Sequence, residues 1–326
     1  MRQVGERFLF TLLCTTILVF FSEKAYWHIH GYKLFDLLLY YFFPAFVLLW
    51  LVQTFRVHRI APLFLCGAVY GFLVEGVIVT QIYEGGFWDW FHVSYAPLGW
   101  HAPFSVVFGL FLLRRLLLRG SYTRLVLGVA SFGVFWGCWS LVYWIPESKG
   151  GLGKGLLSAP SYALYVFTFA AFLVLCHWLL GRLWPGEFKP RAAEKWFVGL
   201  AFVVYFALVT VRQAHFAVIK LPILLGIVLV ALWASQRQER GSTLLADLQG
   251  PIPFRRALVL LLMPAMAASV YAVATVLKPG PDFIRSVFYY GIVFSTAVGG
   301  GLLFLAVIIV CLKRGFNPKN PTKGSK

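Results

Sequence analysis

One carboxylate, Glu75, stands inside the apolar stretch "YGFLVEGVIVT", and Glu84, Asp89, His92 and His101 follow it closely. Carboxyl and imidazole groups at this density are the side chains of general acid–base chemistry. Imidazole titrates near neutrality, and a carboxyl shielded from water can hold its proton at ordinary pH. Glu75 with one of these later acids, and with His92 or His101, therefore forms a candidate catalytic set. The same donors suit a divalent metal, with His92 and His101 as the ligands to consider and the pair His28 and His30 as a weaker addition. No HExxH or comparable spacing accompanies them, and no motif for an organic or redox cofactor is evident.

Around the acids the chain supplies groups that bind rather than react. Tyr95 and Trp100 lie between His92 and His101, and "VRQAHFAVIK" (211–220) brings Arg212 and His215 together with Lys220. Arg285 precedes the last apolar segment. Two arginines at headgroup level are suited to a phosphate or carboxylate, although snorkelling to lipid phosphates accounts for them equally well. Trp27, Trp88, Trp90, Trp100 and Trp144 fit an interfacial aromatic belt.

These side chains must be positioned by a membrane bundle. Sixty percent of the 326 residues are hydrophobic and 13% are charged, with a mean hydropathy of +0.79. No soluble domain of this size hides so much apolar surface. A spanning helix needs about 20 apolar residues. Ten segments qualify: 6–22, 34–54, 60–83, 103–118, 125–144, 159–180, 196–212, 217–235, 255–277 and 285–312. The fold class expected is all-α, a polytopic bundle forming one membrane domain over 1–315 with a basic tail at 316–326.

The net charge of +17 sits in clusters between the apolar segments, which argues for orientation and anionic headgroups and against nucleic acid. With the N-terminus inside, every inner loop is basic, while 84–102 contains no Lys or Arg. Both termini are thus expected in the cytoplasm. Arg2 and Arg7 before an apolar run resemble a signal peptide, but "FFSEK" offers no cleavage site, so an uncleaved first helix is expected. Cys14, Cys66, Cys138, Cys176 and Cys311 form no CxxC pair and read as buried small hydrophobes. Short loops and the absence of a glycosylation sequon point to a bacterial cytoplasmic (plasma) membrane.

Glu75 lies fifteen residues into its segment, about 22 Å up a hydrocarbon core about 30 Å thick. A charge there costs several kcal/mol unless it is paired, protonated or faces a wet cavity. Gly67, Gly71 and Glu75 recur every four residues and share a face, and small residues at that spacing admit a neighbouring helix. Glu75 is therefore expected to face the bundle, as part of a site or as a protonated structural hydrogen-bonder. The aromatic stretch 84–102 is expected to fold back over the outer mouth.

Three functions fit. The first is a membrane-embedded hydrolase or transferase acting on a lipid, lipid-linked or other amphipathic substrate at the outer leaflet. A proton-coupled transporter with Glu75 as titrating carrier is the second, and it requires a polar path to the inner side. The third is a non-catalytic assembly protein that docks through the aromatic loop. Polar groups concentrated at one end favour the first.

Overall fold

The structure is a computed structural model that describes residues 2–25, 34–146, 157–236 and 242–316. His28, His30, Trp27, Glu147 and the tail beyond 316 lie outside the described residues. Ten helices are long and apolar enough to cross a membrane. They are α1 (Gln3–Lys24), α2 (Leu34–Thr54), α3 (Ile60–Ile78), α4 (Phe91–Arg119), α5 (Tyr122–Trp144), α6 (Ala159–Leu183), α7 (Ala192–Gln213), α8 (Ala217–Gln236), α9 (Phe254–Leu277) and α10 (Pro281–Lys313). The chain is an all-α multi-pass membrane bundle. By the charge bias of its loops, the end where α1 finishes and α2 begins is called outer.

Burial orders the helices. The apolar window of α3 is 89% buried and that of α7 only 6%, so α3 is the axis and α7 a peripheral strut facing lipid. Helix α4 packs on α3, α10 and α1, while α9 packs on α5 and α6. The small-residue face of α3 does what its spacing implies. A Cβ at Gly71 would sit 2.7 Å from the Pro97 carbonyl oxygen, and one at Gly67 would sit 2.9 Å from Ala102 Cα. Both contacts are backbone, so a side chain at either position would push α4 outward. Gly300 makes the same approach to Gly99 across α4 and α10.

Two boundaries differ from expectation. Helix α3 ends at Ile78, not 83, because Thr80 turns into the left-handed region (φ 66°) and a short 3₁₀ turn, Gln81–Tyr83, follows. Helix α4 begins at Phe91, twelve residues before the expected start at 103. Pro103 suits a helix start at 103, but the stretch Ser94–Leu112 runs in wide turns with i→i+5 bonding and accommodates Pro97 and Pro103 inside the helix. Tyr95, Trp100 and His101 are therefore helical residues inside the bundle, not loop residues above it.

The outer loop itself, 79–90, is held down. The Lys220 ammonium is 5% exposed and donates to the carbonyls of Ile82 (2.7 Å), Gly86 (2.9 Å) and Asp89 (3.1 Å). The inner end is closed by a comparable device. Arg114 of α4, fully buried, donates to the carbonyls of Leu248 (2.8 Å), Gly250 (3.1 Å) and His177 (3.3 Å). Its guanidinium stacks 4.3 Å from the Trp184 ring centroid. Those carbonyls come partly from 248–250, just past the short helix Leu244–Asp247, which Thr243 caps.

Candidate active site

Three stretches of wide i→i+5 turns meet at the outer end. They are Phe20–Lys24 closing α1, Val74–Ile78 closing α3, and the Ser94–Leu112 stretch of α4. Wide turns of this type recur at functional sites because they re-aim side chains out of the regular helical rows. Here they carry Ser22, Glu23, Glu75 and His101 to one point.

Glu75 Oε1 lies 2.7 Å from His101 Nε2, with both residues buried. On the other side of the ring, His101 Nδ1 is 3.1 Å from Ser22 Oγ. The Ser22 hydroxyl donates to Ser105 Oγ at 2.9 Å. Since Ser22 has a single proton to give, its oxygen accepts from His101 Nδ1–H, and from the Tyr70 hydroxyl at 3.4 Å. One proton is then left for the short contact between His101 Nε2 and Glu75 Oε1. Acid and imidazole share it.

A second carboxyl joins them. Glu23 accepts the hydroxyl of Tyr41, and the rings of Tyr41 and Tyr70 flank that of His101 at 6.4 and 5.8 Å. Glu23, Glu75, His101, Ser22, Gln81 and Trp100 line a cavity of ≈ 20 Å³, also bounded by Tyr95 and Ala96. That is room for about one water molecule. Glu75 Oε2 is buried and has no hydrogen-bond partner among the described residues, so a water there would have an acceptor waiting. Trp100 donates its indole N–H to the Phe21 carbonyl at 3.0 Å and so pins α4 to the widened end of α1.

No family model, curated protein or solved structure matches this chain. The chemistry of the site is therefore argued from its geometry.

The expected site residues fall into three groups. Glu75 and His101 meet, with Tyr95 and Trp100 beside them. Glu84, Asp89 and His92 form a separate, shallower cluster on the loop and at the start of α4, nine residues before His101. His92 Nδ1 bonds the Asp89 carboxylate, and its Nε2 lies 3.6 Å from Glu84 Oε2. Burial opposes ionisation of Asp89, but the His92 contact and the Phe91 N–H (2.9 Å) outweigh it and hold its carboxyl below the usual range.

The remaining group is dispersed. Arg212 and His215 are exposed near the outer end of α7, which packs on α2 and the end of α3, whereas Arg285 lies one turn into α10 against the outer end of α5. Neither arginine bonds the other. Among the described residues no three His, Cys, Asp or Glu side chains converge as a metal site, and His92 and His101 belong to different clusters.

Ser22, Glu23, Tyr41 and Ser105 are the additions of the structure. Ser105 follows His101 by four residues and so shares its side of α4, a spacing that is visible in the sequence. Glu23 and Ser22 lie in "FFSEK", which reads as a helix end. Only the wide turn makes them inward-facing.

Proposed function

We propose that the protein is a membrane-embedded hydrolase or transferase working at the outer leaflet of a bacterial cytoplasmic membrane, on a lipid or lipid-linked substrate. The supporting observation is the buried contact between Glu75 Oε1 and His101 Nε2 at 2.7 Å, beside a water-sized cavity that a second carboxyl, Glu23, also lines. In hydrolysis, water in that cavity attacks the ester or phosphoester centre. Its proton passes to the Glu75–His101 pair, and the leaving oxygen takes one from Glu23. Ser22, Ser105 and Tyr70 hold the imidazole in orientation.

The transporter reading needs a polar path inward. The bonded network around Glu75 stops at Tyr70 and Ser105, the inner end is closed by Arg114, and α3 and α4 are locked backbone to backbone. These features favour an enzyme that works from one side.

The test is reconstitution in liposomes made from a total bacterial lipid extract, with lipid composition followed by mass spectrometry. Wild type is expected to consume one lipid class. Glu75→Gln and His101→Gln are expected to slow that by about 10²–10⁴-fold while remaining folded. Proton flux that depends on Glu75, with unchanged lipids, would overturn the enzymatic reading in favour of transport.

A further inference from the structure

Between α4, α8 and α10 runs a groove of ≈ 620 Å³ that shares no lining residue with the acid cavity. Its walls include Leu98 of α4, Leu224 and Ile227 of α8, and Val298, Leu302 and Ile308 of α10. The one hydroxyl in the wall, that of Ser94, is already bonded to the Ala297 carbonyl. Water gains nothing there, so in a bilayer the groove fills with hydrocarbon. Along α10 it extends from Phe294 to Ile308, about 21 Å at the helical rise. One leaflet contributes about 15 Å of hydrocarbon, so a whole acyl chain fits.

The mouth of the groove has a definite chemistry. Trp90 and Phe91 line it, directly beside the Glu84–Asp89–His92 cluster. Trp88 and Trp90 are 78% and 59% exposed. The nearby cation, Lys220, is committed beneath the loop to three carbonyls. Glu84 is exposed, and the imidazole at 3.6 Å is its partner among the described residues, so its carboxylate is open to another donor. Acid oxygens and indole faces at headgroup level attract an ammonium and repel a purely anionic headgroup.

We propose that this groove binds a phospholipid with a primary-ammonium headgroup, phosphatidylethanolamine in chemistry. One acyl chain lies against α8 and α10, and the ammonium sits at Glu84 and the indoles of Trp88 and Trp90. The inference does not rest on the enzymatic reading, because the acid cavity and the groove are built from different residues of α4.

The experiment uses the full chain in nanodiscs of mixed ethanolamine and glycerol phospholipids. Trace lipids carrying a photoactivatable acyl chain, with either headgroup, are cross-linked and the adducts mapped by mass spectrometry. The ethanolamine probe is expected to label α8 and α10 about three- to fivefold above the lipid-facing α7, the size of effect one exposed cation–π or ion-pair contact gives. Val298→Trp, or independently Leu302→Trp, fills the groove from a lipid-facing position and should remove the excess. Glu84→Gln should leave labelling in place but reduce the preference for ethanolamine over glycerol headgroups.

Equal labelling of α7 and the groove, or labelling that neither tryptophan lowers, would overturn the site. Equal labelling by both probes in wild type would overturn the headgroup assignment. Protein–protein adducts through α10 in place of lipid adducts would assign the groove to a second copy of the chain and overturn the proposal.

Discussion

The two ends of the bundle each bury an ionisable group, and they treat it oppositely. At the inner end the Arg114 guanidinium points its donors at three carbonyls and lays its face on Trp184. Each of its three nitrogens is bonded, and no carboxylate takes part among the described residues. The outer end buries Glu75 with one oxygen on His101 and the other unpartnered against a cavity. A fully satisfied buried charge acts as a clamp, whereas an unsatisfied one beside room for water can exchange a proton. His177, at the inner end, also has both ring nitrogens unpartnered among the described residues, but it is the carbonyl of that residue that joins the clamp. On the enzymatic proposal, this contrast separates a structural end from the end where the chemistry would take place.

The largest effect should come from breaking the clamp. Arg114→Met leaves three buried carbonyls without a donor and is expected to cost about 3–5 kcal/mol, read as a large fall in melting temperature in detergent. Arg114→Lys should recover little, since an ammonium cannot fork to carbonyls and stack on an indole at once. If Arg114→Met melted like wild type, the two ends would not differ in the way described.

The matching change at the outer end should separate stability from function. Glu75→Gln keeps a hydrogen-bonding partner for His101, so its melting temperature should shift by an equivalent of less than about 1 kcal/mol. Its turnover, by contrast, should be lost, because an amide cannot hold the shared proton. A stability loss as large as that of Arg114→Met would make Glu75 a clamp as well.

A smaller effect sharpens the role of the α3–α4 contact. Gly71→Leu drives a side chain into the Pro97 backbone and should cost about 1–3 kcal/mol. Because the displaced helix carries His101, the same variant should also impair the acid–imidazole contact. Gly226→Leu, where a Cβ meets nothing within 4 Å, is the control and should be silent.

The smallest effect concerns the loop. Asp89 is held below its ordinary range by His92 and the Phe91 N–H, against the effect of burial. Its contribution is therefore present above the ordinary carboxylate range and lost as pH falls through the lowered value. At this shallow, partly exposed position it is worth less than about 1 kcal/mol. Protection of the 84–92 amides against hydrogen exchange, corrected for the intrinsic pH dependence of exchange, should fall on acidification below the ordinary carboxylate range, and Asp89→Asn should remove the difference.

Much of this architecture is legible in the chain, and the exceptions share a cause. Nine of the ten helices begin within a few residues of where apolar length alone places them, because lipid imposes that length. The inward face of α3 follows from Gly67, Gly71 and Glu75 recurring every four residues. What escapes is whatever depends on the wide turns. Periodicity of 3.6 treats Pro97 and Pro103 as the edge of a loop, and so puts His101 and Trp100 above the membrane. It also puts Ser22 at the last position of α1 and Glu23 beyond it. Glu84, Asp89 and His92, close to Glu75 in sequence, belong to another cluster, because Thr80 reverses the chain between them. Arg114 looks like an ordinary topogenic charge, and Lys220 like one of the scarce outer cations, until the carbonyls they bind are known.

The most direct test of the outer site is infrared spectroscopy of the carboxyl C=O stretch in reconstituted protein on transfer to D₂O, comparing wild type with Glu75→Gln and His101→Gln. A band that Glu75→Gln removes, that His101→Gln moves, and that shifts within seconds of exchange is the expected result, since the shared proton lies beside water. A Glu75 band that stays unshifted for hours, or one indifferent to His101→Gln, would contradict it and return the outer acid to the same structural class as Arg114.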